Sequence, residues 1–207
     1  MINLLSMTYQ RATKYISAAE YHNHCGLLTS PDAGYDVSDS HLWASDNGCF
    51  NRYEPDKIIA MLNKYQPYAN TCKFIVAPDR VQNAIKTTQL FYMWFHVIKR
   101  YGYPVAYVLQ DGIRVETVPF DLADVLFIGG SDPFKYSQIV RDIVKIANQR
   151  GLWIHNGRVS SKSRLTYMKS IGCDSVDGTH YNIYDPQDIK KHLPYFTNRQ
   201  LGLGLRS

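Results

Sequence analysis

Carboxylates at the ends of apolar segments are the residues of this sequence that could do chemistry, and the clearest case lies near the C-terminus. Segment 171–180 (IGCDSVDGTH) is apolar at its start, and its apolar stretch is followed by Asp177-Gly178. This pattern is typical of a buried strand that places a carboxylate at its carboxyl end. Side chains of a strand alternate between two faces, so Asp174 and Asp177 cannot share one. We expect Asp177 to point into a site, since Gly178 lets the backbone turn and a substrate approach, and Asp174 to make a structural bond. A plain Asp-Gly turn is the alternative.

Polar residues also follow other apolar segments of the chain. Asp46, Asp79 and Gln110 each come after one such segment, and the turn Gly129-Gly130 follows another. A carboxylate only accepts hydrogen bonds, so it can hold the two neighbouring N–H donors on one edge of guanine, while an amide or a backbone N–H satisfies the ring carbonyl. Two further carboxylates could act on a glycosidic bond, one as the nucleophile at the anomeric carbon and the other as the group that moves protons. The set therefore suits chemistry on a guanine-like lactam.

These residues need a scaffold that brings strand ends together. Short apolar segments alternate with longer amphipathic ones, a pattern typical of a parallel sheet covered by helices. The predicted strands are 1–7, 24–30, 41–50, 73–77, 104–109, 124–128, 152–155 and 171–177, and the predicted helices are 9–21, 55–65, 82–101, 134–149 and 162–170. This alternation predicts a compact (β/α)8 barrel of the TIM type, with one or two units abbreviated because 207 residues is near the lower size limit of that fold. The strand ends would then surround one mouth.

The composition narrows the class of protein. With 207 residues, 45% of them hydrophobic and 20% charged, we expect one soluble globular domain. No apolar run could span a bilayer and the N-terminus lacks the features of a signal peptide, so we expect a cytoplasmic protein without a membrane partner. The net charge of +5 permits a nucleic-acid partner without requiring one. The motifs of P-loop nucleotide hydrolases, dinucleotide-binding enzymes and serine hydrolases are absent.

Neither a metal site nor a disulfide framework is expected. His22 and His24 could share one face of an extended segment, but they lack a third ligand. The cysteines show no C-x-x-C spacing, which argues against a zinc knuckle and against disulfide pairing. We expect them to be buried or incidental thiols: Cys25, Cys49, Cys72 and Cys173.

Basic and aromatic residues near the end of the chain suit contact with nucleic acid. Segment 158–164 (RVSSKSR) enters a predicted helix, where it could meet phosphates or simply be a capped helix with solvated charges. Its candidate contacts are Arg158, Ser160, Ser161, Lys162 and Arg164. The tail 190–207 is basic, with Tyr195 and Phe196 interleaved, and suits backbone contact and stacking, although a frayed terminus has the same composition. His155, at a strand end, could touch substrate or be a hydrogen-bonded core histidine.

Five short segments stand in a fixed order on the predicted strand ends: 45–50 (SDNGCF), 76–79 (VAPD), 109–112 (LQDG), 128–130 (IGG) and 172–177 (GCDSVD). Each is similar to a segment of the tRNA-guanine transglycosylase superfamily. The chain most closely resembles its phage and bacterial branch, the DNA-guanine transglycosylases that insert 7-deazaguanines into DNA. The first segment resembles the family's D-S-G-G-[FY]-Q, the third its Q-G, the fourth its G-G turn and the last its G-x-D-x-F-D.

This resemblance implies a role for each residue. Asp46 would be the general acid/base and Asp177 the nucleophile. The base would be held by Asp79, by Gln110 and by the backbone N–H of the turn Gly129-Gly130.

The chain also departs from the family pattern. Asn47 and Cys49 replace Ser and Gly of the first segment, and Ser131-Asp132 follows the G-G turn in place of the usual run to a glutamate. The C-x-C-x-x-C…H zinc subdomain of the tRNA enzymes is not present in the sequence. These departures favour the DNA branch.

The resemblance implies a pentosyltransferase that exchanges guanine in DNA for a 7-deazaguanine of the cyano-substituted (preQ0) type through a covalent aspartyl–sugar intermediate. The deazaguanine is the co-substrate, no cofactor is needed, and the guanosine must be flipped out or single-stranded. A phage-encoded enzyme would act in the host cytoplasm, as a monomer or a homodimer. Three alternatives use the same pocket: a tRNA-guanine transglycosylase, a hydrolytic guanine glycosylase, and a catalytically silent relative that binds nucleic acid or a deazapurine.

Overall fold

The computed structural model describes residues 1–7, 22–50 and 52–178, and within them eight parallel strands close into a barrel. Each strand pairs with the next one along the chain, and the last pairs with the first. The strands are β1 (Ile2–Leu5), β2 (Cys25–Thr29), β3 (Trp43–Ser45), β4 (Cys72–Val76), β5 (Val105–Leu109), β6 (Val125–Ile128), β7 (Trp153–Asn156) and β8 (Ser175–Asp177). The predicted (β/α)8 barrel is confirmed.

Helices follow several of the strands, and all but the first of those described start next to a residue whose side chain caps the helix. They are α1 (Pro55–Tyr65), α2 (Ala84–Arg100), α3 (Asp132–Lys135), α4 (Gln138–Gln149) and α5 (Lys162–Ile171). Pro55 occupies the first turn of α1, and the Asn83 side chain accepts a hydrogen bond from Lys86 N at the start of α2 (3.0 Å).

Two of the barrel's connections are abbreviated, as the size of the chain predicts. Between β2 and β3 the described chain forms turns and irregular structure rather than a helix. Between β5 and β6 a single 3-10 turn, Val115–Thr117, takes the helix's place.

The helix predicted for 134–149 is wrong in one respect, because the structure divides this region into α3 and α4. Ser131 caps α3 and Ser137 caps α4, the latter accepting from Val140 N at 3.4 Å. Each serine directly precedes the first residue of its helix. The local hydrogen bonds therefore favour two helix starts over one continuous helix.

Other expectations can be placed on the structure. His22–His24 is a 3-10 turn, not the extended segment predicted for it. The predicted strand 171–177 is shorter in the structure, where β8 begins at Ser175. The reason is that α5 extends to Ile171, and Gly172, with φ of 95°, ends that helix. The four cysteines are free and buried, which confirms the thiol prediction. The predicted helix 9–21 and the tail 190–207 lie outside the described residues. None of the described helices is both long and apolar enough to cross a membrane.

Alternation along the strands produces two separate cores. One lies between the barrel and its helices and contains the large side chains of Trp43, Tyr65 and Tyr107. The other fills the barrel interior and consists of Leu4, Leu28, Ala44, Phe74, Val76, Ala106, Val108 and Val125. Phe74 is fully buried there, and its truncation to Ala would cost about 3–5 kcal/mol. This packed floor supports the polar groups at the carboxyl ends of the strands.

Candidate active site

The carboxyl ends of the strands surround a cavity of about 130 Å³ that both polar and apolar side chains line. The residues predicted for catalysis and base binding all line it, and so does one of the predicted phosphate contacts: Asp46, Asp79, Gln110, Gly129, Gly130, Asp177 and Arg158. Residues from β3 to β8 are thus brought to one place, as expected for the carboxyl face of this fold.

Asp177, the last residue of β8, receives a hydrogen bond on each oxygen. His155 Nε2 lies 2.9 Å from Oδ2, and the backbone N–H of Arg158 donates to Oδ1 at 3.0 Å. Burial raises the pKa of Asp177, but the hydrogen bond and charge of His155, the Arg158 N–H and the Lys135 charge outweigh it, so the pKa lies below its ordinary value. Asp177 is therefore ionised at neutral pH, as a nucleophile must be.

His155 is a buried support for that carboxylate. It is fully inaccessible to solvent and packs against the rings of Phe74 and Phe127, at centroid distances of 5.2 and 4.7 Å. Because an ionised carboxylate only accepts, Nε2 donates to Asp177. Nδ1 lies 2.9 Å from the hydroxyl of Ser175, which itself accepts from the Trp153 indole at 2.8 Å. The sequence allows His155 either to touch substrate or to be a hydrogen-bonded core histidine, and its position is that of the core histidine. It is connected to the cavity through its hydrogen bond to Asp177.

Asp174 lies at the other end of β8. Its Oδ2 accepts from the backbone N–H of Ile154 at 2.9 Å. This is the structural bond that strand alternation predicts for it.

Gly178 is required for a reason different from the one expected. A Cβ at this position would lie 2.0 Å from the carbonyl oxygen of Val159, whose N–H donates to Asp177 O at 2.6 Å. The glycine admits the backbone of the β7 loop, not a substrate.

Asp46 has the opposite electrostatic environment. Burial, together with the negative charges of Asp177 and Asp79, raises its pKa to about 6, while the N–H of Asn47, at 2.7 Å from Oδ1, opposes the rise. A carboxyl group that titrates near pH 6 can both give and take a proton under physiological conditions. Two acids with their pKa values pushed apart at one cavity are the arrangement expected of a nucleophile and an acid/base.

Asp79 is held by two amides. Its Oδ1 accepts from Asn47 Nδ2 at 2.9 Å and its Oδ2 from Gln110 Nε2 at 2.5 Å. Gln110 Oε1 in turn accepts from the backbone N–H of Gln82 at 2.8 Å. Burial raises the pKa of Asp79, and the two amide hydrogen bonds oppose the rise. The two residues predicted to hold the base are thus bonded to each other, and Asn47, which sequence comparison shows only as a departure, joins them.

The glycine turn after β6 is closely packed. A Cβ on Gly129 would lie 2.7 Å from Val108 Cγ1, and one on Gly130, where φ is +71°, would lie 2.6 Å from Asp111 Oδ2. Asp111 holds the turn by accepting from the backbone N–H of Ser131 at 2.8 Å. Since the Gly129 N–H donates to Leu109 O at 3.1 Å, among the described residues it is the Gly130 N–H that is left to meet a base carbonyl.

Lys135 is a cavity residue that sequence reasoning missed. Its side chain lines the cavity although the residue is only 3% exposed, and its ammonium donates to the carbonyl of Gly157. Burial lowers its pKa to about 8, with the charge of Arg158 acting in the same direction. In return, the guanidinium of Arg158 donates to the carbonyl of Gly130 at 2.7 Å. The loops after β6 and β7 are therefore tied to each other twice, by a reciprocal bridge.

Arg158 and Phe50 stand at the mouth. Phe50 is 65% exposed, lines the cavity and lies under the Arg158 guanidinium, 5.5 Å from ring centroid to Cζ. Arg158 adopts a left-handed backbone conformation with φ of 61°, which directs its N–H at Asp177.

The remaining predicted phosphate contacts do not line this cavity. Ser161 caps α5 by accepting from Arg164 N at 3.3 Å, and Arg164 pairs with Asp132 at 2.5 Å, so these two realise the capped-helix alternative. Ser160 and Lys162 are exposed beside them, and Ser161 and Lys162 border a separate open hollow along α5. Their contact with phosphate stays a prediction.

Within residues 1–7, 22–50 and 52–178, no group of three or more His, Cys, Asp or Glu side chains is placed to hold a metal ion. The expectation that the reaction needs neither metal nor cofactor stays a prediction.

Comparisons with known proteins support the assignment of the fold. No protein-family model matches the chain, and neither does any curated protein. Among solved structures it is similar to a native KDPGal structure, with a TM-score of 0.56 and 13% identity over 94% of this chain and 90% of that one. A mandelate oxidase variant with an FMN adduct has a TM-score of 0.54 and 10% identity over 94% and 71% of the two chains. The Bacillus subtilis YkuI protein, with an EAL domain and c-di-GMP and calcium bound, has a TM-score of 0.50 and 13% identity over 76% and 43%. At such identities the likeness shows the fold alone, a (β/α)8 barrel.

Proposed function

We propose that this protein is an enzyme, a base-exchanging transglycosylase that replaces guanine in DNA with a 7-deazaguanine of the preQ0 type. The supporting observation is a single cavity that holds two carboxylates with opposite pKa shifts, Asp177 below its ordinary value and Asp46 raised to about 6. Glycosyl transfer with retained configuration needs an ionised nucleophile and a protonated acid side by side.

In the first half-reaction, Asp177 attacks C1′ of a deoxyguanosine as the bond from C1′ to N9 breaks. Asp46 gives its proton to the departing guanine, which leaves a covalent aspartyl–sugar ester and an ionised Asp46. His155 and the Arg158 N–H hold the carboxylate of Asp177 in position for attack. Each oxygen keeps a free lone pair after accepting one hydrogen bond.

In the second half-reaction, the incoming 7-deazaguanine loses its N9 proton to Asp46. N9 then attacks C1′ and displaces Asp177. Two displacements at one carbon retain the original configuration. Asp46 ends protonated and Asp177 ionised, so the enzyme is ready for another turn.

The base is held by the opposite side of the cavity. Asp79 accepts from Asn47 and Gln110, and its remaining lone pairs can accept N1–H and the exocyclic amine of guanine. The Gly130 N–H supplies the donor for the ring carbonyl. The same contacts serve guanine and a 7-deazaguanine, because the two share this edge.

DNA must present a flipped or single-stranded guanosine, since a paired base cannot enter such a cavity. Arg158 and Phe50 at the mouth offer a cation and an exposed ring to the entering nucleotide. Water has to be kept from the ester, or the product is an abasic site.

Incubation of the protein with guanine-labelled DNA or tRNA, with and without 7-cyano-7-deazaguanine, tests this function. We expect label release from DNA that depends on the added base. Release without the added base identifies a hydrolytic glycosylase, and release from tRNA alone identifies the tRNA enzyme. If neither polymer loses label and no adduct forms, the catalytic proposal is refuted.

Substitution of the nucleophile gives a sharper test. Asp177→Asn should abolish a denaturation-resistant enzyme–DNA adduct and leave DNA binding largely intact. Asp174→Asn is the matched control, because Asp174 bonds Ile154 N at the opposite end of the same strand, and it should keep the adduct. An adduct that persists in Asp177→Asn would move the nucleophile to Asp46.

A further inference from the structure

The proposed function fixes how a purine is oriented in the cavity, and the inference below rests on it. N9 lies at Asp177 on β8, the ring carbonyl lies at Gly130 after β6, and the N1–H edge lies at Asp79 after β4. Around the rim of a purine, position 8 and position 7 come between N9 and the carbonyl. The strands β8, β7 and β6 are consecutive neighbours in the barrel. Position 7 therefore faces the wall built by the loops after β7 and β6.

That wall contains the bridge between Lys135 and Gly157. Lys135 is 3% exposed and lines the cavity, as does Gly157. A Cβ on Gly157 would lie 3.4 Å from Asp177 Oδ2, which places this bridge beside the nucleophile. An ammonium has three N–H donors. Among the described residues the carbonyl of Gly157 is the acceptor that the structure gives it, so donors are left for a ligand in the cavity.

We infer that Lys135 is a specificity-determining residue that selects a 7-deazaguanine whose 7-substituent accepts hydrogen bonds, a nitrile or a carboxylate, and rejects one with a cationic 7-aminomethyl group. A nitrile or carboxylate at position 7 gains a charge-assisted hydrogen bond from the ammonium. An aminomethyl ammonium meets the like charge of a lysine that is only 3% exposed, and it finds the nearby carbonyl of Gly157 already bonded to that lysine. At the Lys135 ammonium the positive charge of Arg158 has a larger effect than the negative charge of Asp177 or of Asp132, each of which opposes it.

The test measures binding of free bases by calorimetry, with no DNA and no reaction. The probes are 7-deazaguanine and its 7-cyano, 7-carboxy and 7-aminomethyl derivatives. For the unmodified protein we expect the cyano or carboxy base to bind at least about tenfold tighter than the aminomethyl base. Which acceptor binds tighter distinguishes a neutral from an anionic substituent.

Lys135→Met should weaken binding of the acceptor base by about tenfold, because the charged donor is lost. It should strengthen binding of the aminomethyl base, because the like charge is gone and the Gly157 carbonyl is free to accept. Unsubstituted 7-deazaguanine, which has a C–H in place of the N7 acceptor of guanine, should bind as before, and this also shows that the variant is folded. Lys135→Arg keeps a cationic donor and should keep the preference. Lys145→Met, an exposed lysine on α4, is the matched control and should behave as the unmodified protein.

The outcomes separate this inference from the proposed function. An unchanged preference among the bases in Lys135→Met overturns the inference and leaves base exchange standing. A preference that shifts as expected, in a protein that exchanges no base in DNA, supports the inference and refutes the exchange. If the unmodified protein binds none of the bases, both are overturned.

Discussion

The two half-reactions should depend on pH in opposite directions. In the proposed mechanism, guanine departure needs a protonated Asp46, whereas activation of the incoming base needs an ionised one. Because burial and neighbouring carboxylates raise the pKa of Asp46 to about 6, the change should fall within an accessible range. The pKa of Asp177 lies below its ordinary value, so this group stays ionised throughout and does not shape either profile.

The magnitude follows from the titration of a single group. With a pKa of about 6, roughly one tenth of Asp46 is protonated at pH 7 and nearly all of it at about pH 5. The rate of adduct formation should therefore fall about tenfold between pH 5 and pH 7. The rate at which a 7-deazaguanine releases the adduct should rise by about the same factor and level off above pH 7.

Single-turnover measurements separate the two steps. Adduct formation is followed with enzyme in excess over DNA and without any deazaguanine, and samples are quenched in denaturant. Release is followed by adding the base to preformed adduct. A range of about pH 4.5 to 7.5 stays below the pKa of Lys135, which burial lowers to about 8.

Asp46→Asn provides the control. It should slow both steps and remove the break near pH 6 from each. Two profiles that rise or fall together would refute the division of roles between the acids, and a break that survives in Asp46→Asn would assign the titration to another group. DNA binding measured at each pH separates these effects from a loss of substrate.

Three further predictions concern stability and the base site. Since the folded pKa of Asp46 is raised from 3.8 to about 6, its ionisation opposes folding above pH 6. Asp46→Asn should therefore stabilise the protein at about pH 8 by up to about 3 kcal/mol and hardly at all below pH 4. An equal gain in the free energy of unfolding at both pH values, measured by denaturant melts, would contradict this. Gly178→Ala forces a Cβ to 2.0 Å from a backbone carbonyl and should lower the free energy of unfolding by about 3 kcal/mol or more. Gly112→Ala, with open space around it, should lower it by about 1 kcal/mol. Similar melting temperatures for the two variants would argue against the close packing at Gly178. Asn47→Ala removes a hydrogen bond at 2.9 Å from Asp79 and should weaken guanine binding about tenfold, and unchanged affinity in calorimetry would show that the amide does not support the base site.

Much of the scaffold could be predicted because it depends on local patterns. Short apolar segments ending in Gly or Asp identify the strands, and alternation of side chains along the last of them places Asp174 and Asp177 on different faces. The break between α3 and α4 escaped prediction, because a serine inside an amphipathic stretch is equally compatible with a cap and with an exposed helical position.

The supporting residues of the site could not be found in this way. Lys135 sits in a stretch that reads as a surface helix, and its burial results from the approach of the β7 loop, which is a tertiary contact. The pairing of Asn47 with Asp79 joins two loops about thirty residues apart. His155 was recognised only as a polar residue at a strand end, since its partner becomes evident when β7 and β8 are placed side by side.

The reciprocal bridge between the β6 and β7 loops divides the mouth of the barrel into two halves that differ in how well they can tolerate amino-acid substitutions. On one side, Arg158 and Val159 are bonded to Asp177, and Lys135 and Arg158 bind each other's loops. A substitution there should also alter the environment of Asp177, the proposed nucleophile. On the other side, Phe50 is 65% exposed and meets this wall at the guanidinium of Arg158, and within the described residues it makes no hydrogen bond to the carboxylate. Preference for one polymer over another can therefore evolve at the Phe50 side while the chemistry of the opposite wall is preserved.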